Sequence, residues 1–142
     1  MQVVFFLLPK GDTIYLTQNQ TLRQGLEKMQ HHRYSAVPLL DDDGHYIGSL
    51  TVADFLWYIK DAFNMNLENA SKVLLKDIPR QHDNPPVSIN AKISDLLQMA
   101  IEENFIPVVD DLGIFIGIVR RKEILEYYQN REDKSFLPGN NE

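Results

Sequence analysis

Ala36-Val37-Pro38-Leu39-Leu40-Asp41-Asp42-Asp43-Gly44 is answered 69 residues later by Phe105-Ile106-Pro107-Val108-Val109-Asp110-Asp111-Leu112-Gly113. An apolar run closed by an Asp-rich piece and a glycine, written twice at one offset, marks an internal repeat. It continues as Ile47-Gly48-Ser49-Leu50 over Ile116-Gly117-Ile118-Val119, still 69 apart. Upstream, Asn19, Leu22 and Leu26 meet Asn90, Ile93 and Leu97 at an offset of 71. The second copy has therefore lost two residues between its first helix and its strand.

Each copy reads as strand, helix, strand, turn, strand, helix. Leu22, Leu26 and Met29 fall at i, i+4 and i+7, the apolar stripe of a helix packed on one side, and Asn19 and Asn90 are its expected N-caps. The runs 37–40 and 108–109 are apolar and partly β-branched. Hairpin turns end at Gly44 and Gly113, return strands cover 46–50 and 115–119, and final helices begin near Val52 and Arg121. The expected organisation is a first repeat over 1–62, a linker over 63–76, a second repeat over 77–130, and a disordered tail over 131–142. Within the linker, 66–69 is expected as a polar break and 70–76 as a short helix. The apolar piece 3–8 is expected as a strand or a buried helical turn.

A length of 142 residues with 44% hydrophobic content suits one core built from strands and helices. Twenty acidic against fourteen basic residues, a formal charge of −6, argue against a general grip on nucleic-acid phosphates. The absence of cysteine excludes disulfides, Cys-ligated zinc and a thiol nucleophile, and a cytoplasmic location is the simplest expectation. The six apolar residues 3–8 are far short of the roughly 20 that span a bilayer, so no membrane partner is expected. His31 and His32 point about 100° apart on a helix, and the Asp41–Asp43 run suits a turn, so no metal site is expected. No P-loop, dinucleotide fingerprint or catalytic triad pattern is present, which argues against an enzyme.

The segment Gly48-Ser49-Leu50-Thr51-Val52-Ala53-Asp54 places a hydroxyl at a helix start, three residues before an acid. Free backbone N–H groups and the positive end of the helix dipole there suit a phosphate, which Thr51 would contact. Asp54, one turn later, could accept from both ribose hydroxyls. The same spacing also makes a capping box with no ligand at all. In the second copy Arg120 and Glu123 stand at these positions, and Arg120 with Arg121 forms a basic pair suited to bidentate phosphate contacts, or a solvated helix start.

These residues resemble the CBS domains, which occur as tandem pairs, and the resemblance spans about residues 5 to 128. It implies a mixed α/β (α+β) fold: tandem βαββα repeats packed about a pseudo-two-fold axis in a single compact module. It also implies nucleotide clefts, with the base held near Thr13, Ile14 and Tyr15 and by Tyr34, Ser35, Ala36 and Pro38. Tyr34-Ser35-Ala36 together with Arg120-Arg121 look like the small stand-alone CBS proteins of Gram-positive bacteria that bind cyclic di-AMP. From that likeness follow the expectations of an adenine nucleotide ligand with no other cofactor, a homodimer formed through the terminal helices, and an effector protein as output. An AMP, ADP or ATP gauge and an interaction module with empty clefts are the alternatives. In the latter, Trp57, Tyr58, Tyr127 and Tyr128 would bury against another copy.

Overall fold

A computed structural model describes residues 1–62 and 64–135. Helix α1 (Leu22–His32) starts where Thr21 and Gln24 close a reciprocal capping box: Thr21 Oγ1 accepts from the Gln24 N–H at 3.1 Å, and Gln24 Oε1 accepts from the Thr21 N–H at 2.9 Å. The N-cap is thus two residues later than the expected Asn19, whose Nδ2 instead donates to Asp42 at 2.6 Å and ties the helix entry to the hairpin turn. In the second repeat, α4 (Ile93–Glu102) starts after Lys92, whose N–H donates to Asp95 at 3.0 Å, and not after Asn90. In both copies an acceptor at the helix's third position outcompetes the asparagine.

Strands β3 (Ala36–Leu40) and β4 (Tyr46–Thr51) form an antiparallel hairpin with β2 (Leu16–Thr17) parallel to β3, and α2 (Val52–Asp61) follows. The second copy repeats this with β5 (Val87–Ser88), β6 (Phe105–Val109), β7 (Phe115–Arg120) and α5 (Arg121–Ser135). The leading segment of the chain crosses between the copies. Strand β1 (Leu8–Pro9) pairs antiparallel with β7, Pro9 opposite Gly117, so the leading segment of the first repeat completes the sheet of the second. At an offset of 71, Pro79-Arg80 is the matching segment; it adds no strand to the three-stranded sheet of the first repeat, but the Arg80 guanidinium occupies the space a side chain at Gly48 would need.

The pseudo-two-fold axis can be placed from hydrogen bonds. Tyr46 N–H donates to Gly113 O at 3.2 Å and Phe115 N–H to Gly44 O at 2.9 Å, flanking a bridge between His45 and Ile114. His45 meets its own counterpart, and the two flanking bonds are counterparts of each other, Tyr46 to Gly113 and Phe115 to Gly44, which is the signature of an isologous contact. Three clusters of buried apolar side chains follow: one around Leu22, Val37, Leu50 and Phe55, one around Ile93, Leu96, Ile106 and Val119, and one between the repeats made by Leu40, Phe105, Phe115 and Ile118.

The 3–8 stretch is a buried helical turn, as expected: a 3-10 turn over Val3–Phe6 buries Val3 in the second core and then enters β1. Other sequence expectations change. The linker helix expected over 70–76 does not form as one element; only a 3-10 turn at Leu75–Asp77 falls at its end. Val73 O accepts from Leu22 N–H at 2.8 Å, while Leu75 and Lys76 donate to Gln20 O and Gln18 O, so this segment spends its backbone on the chain leading into α1. The α-helix is instead α3 (Leu67–Ala70), mostly within the expected polar break, because Asn66 Oδ1 accepts from Asn69 N–H at 2.8 Å and caps it. Helix α5 runs to Ser135, past the expected end of the second repeat at 130, and 136–142 lie outside the described residues. Tyr58, Tyr127 and Tyr128 pack on their own cores, whereas Trp57 is 49% exposed. No helix among the described residues is long and apolar enough to cross a membrane.

Candidate functional site

Where β3 and β6 enter their sheets, Ser35, Ala36, Asn104 and Phe105 line two adjoining cavities. Ser35 and Asn104, and Ala36 and Phe105, are equivalents at the repeat offset of 69, so the groove straddles the module's internal symmetry. Its two ends have opposite charge. One end, about 290 Å³, is completed by Leu8, Ile14, Arg33, Tyr34, Val37, Pro38 and Arg120. The other, about 360 Å³, is completed by Ser49, Thr51, Val52, Ala53, His82, Asn84, Glu102 and Glu103. Arg33 and Glu102 occupy equivalent positions, as do Thr51 and Arg120.

At the basic end, Arg33 is the C-cap of α1, held in the left-handed region at φ 59° and ψ 32° by bonds from its N–H to Met29 O and Gln30 O. Turning the chain there aims the next residues, Tyr34 to Ala36, along the groove. Tyr34 is 48% exposed, and its ring stacks on His32 at 5.7 Å between centroids. Arg120 donates from Nε to Glu123 Oε1 at 2.8 Å, with Nη2 on the same oxygen, which fixes the guanidinium plane while half of the side chain stays exposed. Two guanidiniums stand beside Leu8, Ile14, Pro38 and Phe105, an arrangement chemically able to pair an anion with an apolar, planar group.

The expected site residues divide. Ile14, Tyr34, Ser35, Ala36, Pro38 and Arg120 come together at the basic end, and Thr51 faces the acidic end. Thr13 does not line the groove. Its hydroxyl donates to Pro9 O at 2.8 Å and Leu8 O at 3.3 Å, which caps the turn after β1. Tyr15 packs against Phe115 at 6.2 Å between ring centroids. Arg121 is also turned away: its Nε donates to Ala100 O at 2.7 Å and Glu103 O at 3.1 Å, satisfying carbonyls at the end of α4.

Asp54 is 2% exposed, and both of its oxygens are engaged. Oδ2 accepts from Thr51 N–H at 2.9 Å and Oδ1 from Gln81 N–H at 3.0 Å, while Thr51 Oγ1 accepts from Asp54 N–H at 3.1 Å. The capping box is therefore formed, and it also fastens α2 to the segment that opens the second repeat. Asp54 borders a hollow with Trp57, Tyr58, Pro79 and Gln81, outside the groove. Asp54→Ala is expected to cost about 2 kcal/mol, lowering the melting temperature by about 4 to 8 °C, because it removes a cap and strands the Gln81 N–H. Thermal unfolding of the variant by circular dichroism checks this.

The acidic end has a polar floor. Asn84, 3% exposed, donates from Nδ2 to Phe105 O at 3.1 Å, and its Oδ1 has no partner. Its backbone carbonyl accepts from the Tyr46 hydroxyl at 2.6 Å, and the same hydroxyl lies 2.7 Å from Ser49 Oγ. Burial pushes the Tyr46 phenol up and keeps it a donor. His82 pairs with Glu103 at the rim, and that hydrogen bond, reinforced by the carboxylate's charge, raises the imidazole above its ordinary range. Arg33, Asn84, Ser49 and the Glu102-Glu103 pair escaped the sequence reading. Aligning the two copies at the 69 offset and asking where charge reverses would have exposed Arg33 and Glu102.

Two βαββα units about a shared axis, the leading strand of the first completing the sheet of the second and a polar-rimmed groove lying between them, define a tandem-repeat module. The chain belongs to the CBS domain family, which matches residues 8–61 and 75–130. Its fold is similar to that of CbpB in complex with cyclic di-AMP, with a TM-score of 0.82 at 17% identity, covering 94% of this chain and 87% of that one. A CBS domain protein from Streptococcus pneumoniae gives a TM-score of 0.79 at 25% identity, covering 91% of this chain and 87% of that one. In sequence, the Methylated protein MJ0556 of Methanocaldococcus jannaschii is 27% identical over 132 residues, covering 84% of this chain and 70% of the relative.

Proposed function

We propose that this protein is a non-catalytic cytoplasmic sensor that binds an adenine nucleotide, cyclic di-AMP foremost, at the basic end of the inter-repeat groove and signals through a partner protein. The observation that carries the reading is the cavity shared by Arg33 and Arg120 with Ile14, Tyr34, Ala36, Pro38 and Phe105. Guanidiniums take phosphate oxygens, the apolar floor takes one adenine, and the exposed Tyr34 ring covers the mouth. A cyclic dinucleotide's second half extends from the cavity toward solvent. The likeness to CbpB, a cyclic di-AMP complex, supports this choice. The single-nucleotide scale of the cavity favours AMP, ADP or ATP as the second reading.

Ligand bridging Arg33 of one repeat and Arg120 of the other would favour one relative angle of the repeats. It shifts the population only by its differential affinity for the two shapes. A homodimer formed through the terminal helices, with the exposed Trp57 among its contacts, would carry that shift to an effector.

A thermal-shift panel of cyclic di-AMP, cyclic di-GMP, AMP, ADP, ATP and S-adenosylmethionine tests the reading. A ligand at 100 times its dissociation constant adds about 2.7 kcal/mol, or about 5 to 10 °C at this chain length. A shift with cyclic di-AMP is the expected result. A graded response to AMP, ADP and ATP alone would replace it with the energy gauge, and no response would leave an interaction module.

A further inference from the structure

The two repeats differ in a cation that the second carries and the first lacks. At the offset of 69, Tyr58 answers Tyr127 and Ala62 answers Arg131, and each tyrosine packs on its own core. In the second repeat the Arg131 guanidinium lies over the Tyr127 ring, 5.5 Å from its centroid, and Nη1 donates to the Tyr127 hydroxyl at 3.2 Å. In the first, Ala62 N–H still donates to Tyr58 O at 3.0 Å, which keeps the helical register, but the side chain stops at Cβ. A hollow of about 390 Å³ opens there, outside the groove, walled by Trp57, Tyr58, Ala62 and Pro79 and bordered by Asp54 and Asp61. Trp57 and Asp61 stand where the second repeat has Glu126 and Asn130. The first copy therefore adds an indole and moves a carboxylate one turn along the helix, while omitting the guanidinium. Among the described residues no basic side chain lines the hollow, and Lys60 meets Asp61 only at 3.8 Å with both side chains largely exposed.

We infer that this hollow receives an arginine side chain of the effector protein, an inference that rests on the reading of a partner protein as the output. The guanidinium stacks on the Trp57 and Tyr58 rings, as Arg131 does on Tyr127, and its N–H groups donate to the exposed Asp61 carboxylate. Asp54 adds negative charge beside it, its own oxygens held by the Thr51 and Gln81 N–H groups. An indole has two faces: the one lining the hollow takes the guanidinium, and the other is left to the homodimer. Pro79 and Gln81 belong to the segment that opens the second repeat, whereas the other walls belong to α2. The hollow thus changes shape with the angle between the repeats, which is how occupancy of the groove reaches the partner.

Trp57 is the only tryptophan in the chain, so its emission reports on the hollow. N-acetylarginine amide titrated into the nucleotide-free protein is expected to change that emission saturably, with a dissociation constant of about 10 mM. N-acetylcitrulline amide, neutral and nearly the same shape, should bind at least about fivefold more weakly, and the arginine amide should lose as much in Asp61→Asn. Ala62→Arg copies the second repeat at a half-buried helix end; it should shift the emission by itself and abolish binding of the amide. These titrations contain no nucleotide, so their outcome and that of the thermal-shift panel are read separately. No saturable change up to about 100 mM, equal affinity for the citrulline amide, or unaltered affinity in Ala62→Arg would overturn the proposal. So would emission that changes on diluting the parent protein but not the Ala62→Arg variant, since a second copy's side chain would then fill the hollow.

Discussion

Arg33→Asn combined with Arg120→Thr is expected to weaken cyclic di-AMP binding by at least about 100-fold. Each guanidinium contact to phosphate is worth about 1.5 to 3 kcal/mol, and about 1.4 kcal/mol is tenfold in affinity. Arg120 already spends two nitrogens on Glu123, which offsets part of its contribution and puts the expected loss near the lower end of that range. The replacements are chosen to spare the fold. Arg33 sits at φ 59°, where asparagine is tolerated better than alanine, and threonine before α5 restores the residue that the first repeat carries at 51. Calorimetry at constant ionic strength gives the result, since the lost contacts are salt-sensitive. An affinity within about threefold of the parent protein would remove the basic end as the phosphate site.

Gly117→Ala should cost about 3 to 4 kcal/mol, among the larger effects a single methyl can have. Gly117 is at φ +153°, where a side chain is strained, and a Cβ built on it would lie 2.2 Å from Leu8 O and 2.9 Å from Leu7 Cδ1. The obstacle is backbone, so relief requires β1 to lift off β7, undoing the crossing that joins the first repeat to the second sheet. Gly48 has almost the same φ, +149°, but a Cβ there meets the Arg80 guanidinium, the far end of a side chain that can swing aside. Gly48→Ala should therefore cost clearly less. Gly11→Ala, with nothing within 4 Å of the added carbon, is the neutral control. Equal midpoints in urea for the 117 and 11 variants would show that β1 is dispensable for stability.

How much of this was legible in the sequence varied with how local each interaction is. The repeat, its hairpins and the starts of α2 and α5 were legible because apolar periodicity and the Asp-Gly turns act over a few residues. The N-caps were misplaced by two residues because Asn19 and Thr21 are both competent. The deciding partners were Gln24 at one end and, from across the hairpin, Asp42. The linker helix failed for a similar reason: Val73, Leu75 and Lys76 pair with residues more than fifty positions earlier in the chain. Thr51 and Asp54 were found by spacing, and spacing alone left both the capping and the ligand readings open. The bond from Gln81 to Asp54 is a tertiary fact.

By itself the sequence determined that two βαββα copies exist, where their hairpin strands and turns lie, and that a hydroxyl–acid pair and an arginine pair stand at matching helix starts. Those features are written in residues near one another along the chain. Only the tertiary structure decided that β1 crosses to the other sheet, that Arg120 faces the groove while Arg121 closes α4, and that Arg33 and Glu102 give its two ends opposite charge. The axis between the repeats brings together side chains about seventy residues apart, and no local propensity encodes which of them meet.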